Sequence, residues 1–216
     1  ATLNVSHSED LTPQRYNNWS RTVFSNNWYY KPPEIDRASF TLYSDWSDRL
    51  STKFKYTSYE MEEDDASYGD DFFPEMNITI TDSVTGDRDN VFLGGDRYRG
   101  ANLINVESEF LTFKADYDND DHLYTVGFER DDSDVVNLFI ARYNGEVRFN
   151  SFEDYKNGVW SRLRIHEPYA GHNAVGTMAA DFEVEKTSMY IQDKWFVNND
   201  LTVMFGLRYD AVETPI

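Results

Sequence analysis

The sequence has 216 residues, 40% hydrophobic and 16% aromatic, enough apolar and rigid side-chain material to exclude a disordered chain. Twenty Lys and Arg stand against 39 Asp and Glu, a formal charge of −19 at pH 7 that would repel phosphate backbones and excludes nucleic acid as a partner. The absence of cysteine excludes disulfide and thiolate chemistry, and no apolar run approaches the ~20 residues of a spanning helix, which leaves membrane-crossing strands open.

In chain order, residues 1–36 read as loop with a short strand at most. Asn17, Asn18, Asn26 and Asn27 are interleaved with Trp19, Trp28, Tyr29 and Tyr30, and Pro32-Pro33 stops the segment. Those four aromatics are candidate stacking platforms for a ligand. The opening ATLNVSHSED lacks the basic start and apolar core of a signal peptide.

From about 37 to 60 the chain predicts a hairpin. Ala38, Phe40, Leu42 and Trp46 alternate with polar neighbours, a turn falls at Ser47–Arg49, and Phe54 and Tyr56 alternate with Lys53, Lys55 and Thr57. Residues 61–105 then read as a long acidic loop holding EMEEDD (60–65), SYGDD (67–71), an alternating piece at Met76–Thr81 and LGGDRYRG at Leu93–Gly100. The glycine-rich run lacks the Gly-Lys-Ser/Thr ending and apolar helix of a phosphate loop.

A second hairpin is predicted over about 106–130, turning within Asp118–Asp121, with His122, Tyr124, Val126 and Phe128 on one face. Asp116, Asp118 and Asp120 imitate the start of an EF-hand loop, but Asp121 and Gly127 occupy the positions of its glycine and bidentate glutamate. Residues 131–186 form the second long excursion. Asn144-Gly145 between Asn137–Tyr143 and Glu146–Phe149 predicts a small hairpin with a type I′ turn. SFEDYKNG predicts a helical turn capped by Ser151 and ended by Gly158, and His166 and His172 read as loop histidines without a third ligand.

Two alternating runs meeting at Asn198–Asp200 close the chain as a third long hairpin, about 187–210, with Leu201, Val203, Phe205, Leu207 and Tyr209 on one face. The carboxylate clusters read most simply as solvated loop surface. The sharper alternative is a divalent-cation site, calcium for example, on Asp70, Asp71, Asp131, Asp132 or Asp134; no other cofactor is expected. Carboxylate pairs are unavoidable at this composition, and no nucleophile elbow or zinc motif is present, so an enzyme is not expected.

The expected fold is all-β: an antiparallel meander of long hairpins whose short turns lie at one end and long excursions at the other. That asymmetry suits the wall of a large transmembrane barrel with long extracellular loops. A soluble curled sheet or sandwich is the alternative.

The closing residues Tyr190-Ile-Gln-Asp-Lys-Trp195 and Phe205-Gly-Leu-Arg-Tyr-Asp210 resemble the YxQDxW…LTxxxGLRYD hairpin of TonB-dependent outer-membrane receptors. HLYTVGFE (122–129), NLF (137–139) and FNSFEDYKNG (149–158) look like barrel segments of the Oar-like group, so the resemblance spans roughly 37–210. It implies a barrel of about twenty-two strands around a plug, in the bacterial outer membrane, importing a nutrient with energy from an inner-membrane partner. The expected partners are then the rest of the barrel and its plug, that inner-membrane protein and outer-membrane lipid. Nothing here resembles a plug, a coupling box or a terminal aromatic strand, so the chain reads as an internal barrel fragment. The competing function is a soluble or surface β-domain that binds carbohydrate or protein through its exposed aromatics.

Overall fold

A computed structural model describes residues 1–18, 20–64, 66–67, 73–169 and 173–214. In chain order its strands are β1 (Thr2–Glu9), β2 (Pro13–Gln14), β3 (Arg21–Val23), β4 (Tyr29–Tyr30), β5 (Glu34–Asp45), β6 (Leu50–Asp64), β7 (Ala66–Ser67), β8 (Glu75–Thr81), β9 (Arg88–Leu93), β10 (Asn102–Asn119), β11 (His122–Phe139), β12 (Glu146–Phe149), β13 (Arg162–Arg164), β14 (Ala180–Asn198) and β15 (Leu201–Glu213). Two short helices intervene, α1 (Phe152–Lys156) and α2 (Ala174–Met178).

The frame is a seven-stranded sheet in the order β1-β5-β6-β10-β11-β14-β15, antiparallel throughout and consecutive in sequence apart from the short elements set aside. The three predicted hairpins are its centre. Their turns adjoin one another at one end, where the Asp118 amide donates to the Arg49 carbonyl at 2.8 Å and the Phe196 amide to that of Asp121 at 2.8 Å. Asp120 takes positive φ (57°), and the Asn198 side chain accepts from the Asp200 amide at 2.9 Å, both devices by which Asp and Asn tighten a turn.

Thr2–Glu9 is an eight-residue edge strand on β5, where the sequence gives a loop with a short strand at most. Leu3 and Val5 supply only two apolar beats, and pairing with β5 does the rest. The hairpin arms also run past their expected ends. β10 and β11 have 18 residues each and β14 has 19, against the ~9–11 that a tilted strand needs to cross a bilayer core.

Period-two pleating gives this sheet two unlike faces. On one, Leu42, Phe54, Phe113, Phe128, Met189 and Tyr209 follow each other strand to strand, beside the row Ala115, Val126, Ile191 and Leu207. The other face is polar: Thr41, Lys55, Thr112, Glu129, Ser188 and Asp210 make one row across it.

The two excursions are not simple loops. β8 and β9 form an antiparallel hairpin, β12 lies parallel to β8 and antiparallel to β13, and β3 lies parallel to β9, giving a mixed sheet in the order β13-β12-β8-β9-β3. Its apolar residues Val23, Ile78, Phe92 and Phe149 are buried, and Tyr155 of α1 packs edge-on against Phe149 at 5.3 Å. Ser151 caps α1 by accepting from the Asp154 amide at 3.0 Å, and Gly158 ends the segment at φ +68°, as the sequence predicts.

The predicted Asn144-Gly145 hairpin does not form. Asn137–Phe139 belong to β11 and pair with β10, so they are unavailable to Glu146–Phe149, which pair with β8 and β13 instead. The turn sits one step earlier, closed by the Gly145 amide on the Arg142 carbonyl at 3.0 Å, with positive φ at Arg142 and Gly145.

Candidate functional site

Two surfaces carry polar chemistry, the polar face of the large sheet and a buried ionic hub inside the mixed sheet. On the polar face, strand register sets the neighbours. Lys114 Nζ holds Asp116 at 2.8 Å, Thr125 Oγ1 donates to Asp116 at 2.6 Å, and Arg208 Nη2 holds Glu129 at 2.7 Å. Tyr190 lies directly opposite Gly127, where a Cβ would collide with its ring, and Arg208 stands over that ring at 5.6 Å. At the β1 side, Asn4, Ser6, Arg37, Ser39, Thr41, Tyr43, Lys53 and Lys55 line a cavity of about 400 Å³.

The hub ties the two excursions together. Glu75 begins β8 and Glu146 begins β12, and the two face each other in the parallel register. Arg97 reaches both, with Nη1 at 3.6 Å from Glu75 and 3.2 Å from Glu146. Arg142 Nε donates to Glu146 Oε2, and Arg162 stands at 4.0 Å. Asn27 Nδ2 donates to Glu75 at 3.3 Å and to the Gly94 and Gly95 carbonyls, so the N-terminal segment is held as well.

Burial pushes the Glu75 carboxyl above its ordinary range, and the Arg97 charge only partly opposes it. Burial pushes Glu146 the same way, but the Arg142 hydrogen bond and the Arg97, Arg142 and Arg162 charges outweigh it and leave that carboxyl below its ordinary range. Asp96 is raised by burial, against a hydrogen bond from the Tyr98 amide and the charges of Arg99, Arg21 and Arg97. Gly94 makes the approach possible: it has φ +81°, and a side chain there would meet the Pro74 carbonyl oxygen.

The residues expected to bind ligand are not assembled into one platform. Tyr29 is a core residue, 2% exposed, with Arg99 over its ring at 4.2 Å and its hydroxyl donating to Tyr16 at 2.9 Å. That corrects its reading as an exposed aromatic: β4 is held between β2 and β7. Trp28 and Tyr30 are half-buried, and Trp19 lies outside the described residues.

Of the cation candidates, Asp70 and Asp71 also lie outside the described residues, as does His172. Asp131 stands on the polar face opposite Lys186, whereas Asp132 and Asp134 stand on the other face, so strand alternation divides the three. Asp132 is held by Arg130 at 2.7 Å. These acids are strand residues, which corrects their assignment to a solvated loop. The group whose ligand atoms do converge among the described residues is His7, Glu34 and Asp36, all exposed, with His7 hydrogen-bonded to Asp36 and Glu9. His166 is an exposed loop residue, its amide donating to the Arg142 carbonyl.

Sequence reasoning passed over Glu75, Arg97, Arg142 and Glu146. A dense LGGDRYRG run in an otherwise acidic chain is the signal that could have found Arg97. The two glutamates carry none, because their pairing joins segments about 70 residues apart.

No family model matches the chain, and no curated protein matches it. Among solved structures it resembles the outer membrane transporter YddB from Escherichia coli, with a TM-score of 0.54 and 11% sequence identity. The similarity covers 97% of this chain and 24% of that one, so the chain spans about a quarter of the transporter's length. The fold is that of an outer-membrane barrel wall: an antiparallel meander with one apolar face, one polar face, short turns at one end and long excursions at the other.

Proposed function

We propose that the chain forms part of the wall and outward-facing excursions of a TonB-dependent outer-membrane receptor that imports a nutrient. The observation that carries this reading is the apolar face. Phe205, Leu207 and Tyr209 are 57%, 79% and 67% exposed, and Met189 and Ile191 both 53%, so a continuous apolar surface lies open on the long strands. In water such a surface would drive aggregation, whereas in a bilayer it is the band a barrel requires. Among the described residues the outer edges of β1 and β15 are unpaired, which supports the same reading, since an open sheet edge is not tolerated in lipid and further strands of a receptor would complete the ladder.

The YIQDKW…GLRYD hairpin adds the receptor class. A plug and an inner-membrane energy-coupling protein are the partners this class implies, and their contacts would lie elsewhere in the receptor. On the polar face Asp116 holds Lys114 and the Thr125 hydroxyl, and Glu129 holds Arg208.

The test is fractionation and uptake with the full-length protein. It is expected in the outer membrane, soluble only in detergent, with heat-modifiable migration, and its uptake should stop when the inner-membrane coupling complex is removed. A protein that is monomeric and cooperatively folded without detergent would refute the barrel reading, and uptake indifferent to the coupling complex would refute the receptor class.

A further inference from the structure

The chain's excess of carboxylates makes one part of its polar face unusual. Lys114 and Arg208 on that face each hold a carboxylate at 2.7–2.8 Å. Arg37, Lys53 and Lys55 do not: among the described residues no carboxylate oxygen lies within 4.0 Å of any of them. Register puts the three on one wall, with Arg37 opposite Ser6 and Tyr59, Lys55 opposite Thr41 and Lys53 opposite Tyr43. They share the cavity of about 400 Å³, whose other groups are hydroxyls, one amide and the Tyr43 ring that Lys53 caps at 5.6 Å. Among the described residues no carboxylate lines it. The nearest acid lining the adjoining cavity is Asp131, which shares that space with Arg37 and Lys55.

In a chain of net charge −19 the simplest expectation is that every cation finds an acid. Leaving a guanidinium and two ammonium groups without a carboxylate along one wall, with hydroxyl donors between them, is an arrangement that recognises oxyanions at successive points. The guanidinium offers a two-pronged donor, and the ammonium groups act as point charges. From Arg37 to the level of Tyr43 the stripe runs six residues of strand, about 20 Å along the wall. A cationic stripe in a narrow passage between low-dielectric walls also concentrates anions locally.

We propose that Arg37, Lys53 and Lys55 form an anion-binding stripe on the lumenal wall that takes a cargo bearing phosphate or carboxylate groups. This rests on the reading of the polar face as the lumen. The stripe holds the cargo's oxyanion groups at successive points by charge-assisted hydrogen bonds, with Ser6 beside Arg37 and Thr41 beside Lys55 as further donors.

The full-length protein in detergent should be titrated with pyrophosphate and with citrate at low ionic strength. In the triple variant Arg37→Gln, Lys53→Gln, Lys55→Gln the affinity for one or both is expected to fall about tenfold or more. A control of equal charge change, Arg88→Gln, Lys156→Gln, Arg164→Gln at exposed positions of the excursions, should bind as the parent does. Raising the salt should weaken parent binding and leave the residual binding of the triple variant nearly unchanged.

Heat-modifiable migration of each variant shows separately that the barrel has folded. Unchanged affinity in a folded triple variant would overturn the proposal, as would a folded parent that binds neither anion. If the triple variant instead keeps its anion affinity but frees another part of the receptor to protease, the stripe is a protein-docking surface and the proposal falls. Folding without detergent would strike the barrel reading itself, which is a distinguishable failure.

Discussion

Tyr190 lies across Gly127 on the adjacent strand, and the pair shows how one missing side chain shapes the polar face. The ring fills the space that a Cβ would take and buries the glycine backbone, a cross-strand arrangement that also fixes register. Gly127→Ala is expected to push the ring off its seat at about 1–3 kcal/mol, read as a lower midpoint of heat modification. Adding Tyr190→Ala should make the glycine substitution nearly neutral, because the collision then has no partner.

Glu146, 2% exposed and facing three guanidiniums, is the residue on which the mixed sheet depends most. Glu146→Gln takes the carboxylate from three half-buried guanidiniums, of which Arg97 keeps Glu75, and should cost about 2–3 kcal/mol, less than a fully buried pair. The expected readout is local: faster amide exchange in β8 and β12 with the large sheet unaffected. The acid response follows from the opposite shifts of the two glutamates. Glu75, raised by burial, takes up its proton first as pH falls, and the native state gains from that step. Glu146 lies below its ordinary value, so its contribution is present above the unfolded carboxyl range, about 4.3, and is lost as pH falls through the folded value. Amide exchange in β12 should therefore accelerate below about pH 4 in the parent, and Glu146→Gln should abolish that step.

At the scale of elements, the excursions behave as a folded unit, which limited proteolysis can check. Within the first excursion the exposed turn of residues 82–87, with Val84 90% exposed, should be cut before the strands β8 and β9 that flank it. Rapid cleavage throughout 75–93 would contradict a paired mixed sheet. The three long hairpins were legible in the sequence because period-two alternation and Asn/Asp turns are local signals, and the Ser151 cap was legible for the same reason. The mixed sheet was not. β3, β12 and β13 have three or four residues each, too few to show a period, and their partners come from distant segments. The acidic ends of β6 and β11 were read as loop because charge masked an alternation that continues through them. Lys53 and Lys55 were visible as alternating residues, but their nearness to an unpaired Arg37 depends on strand register, which the sequence does not print.

At the scale of the whole molecule, the net charge turns out to be organised. Beyond the apolar band, on the same face, Asp36, Glu60, Glu107, Asp134 and Glu183 stand directly opposite one another across five strands. Glu109, Asp132, Glu185 and Glu213 form a second such row, and Glu9, Glu34 and Glu62 a third. Among the described residues Arg130, bound to Asp132 and Glu185, enters these rows as a cation, and His7 is hydrogen-bonded to Asp36 and Glu9. Directly opposed like charges destabilise an antiparallel pair, so the outer end of the sheet is held against its own repulsion by the ladder and by the apolar band beneath. Because these carboxylates are largely solvent-facing, the repulsion is screened by salt, with a Debye length of about 30 Å at 0.01 M falling to about 8 Å at 0.15 M. The detergent-solubilised protein should therefore gain thermal stability as monovalent salt rises over that range. The double variant Glu107→Gln, Asp134→Asn removes charge from the centre of the first row, and it should be more stable than the parent at low salt, with the advantage shrinking as salt is added. Stability that falls with salt in the parent would mean instead that attractive pairs such as Arg130 with Asp132 dominate this face, and that the opposed carboxylates contribute little.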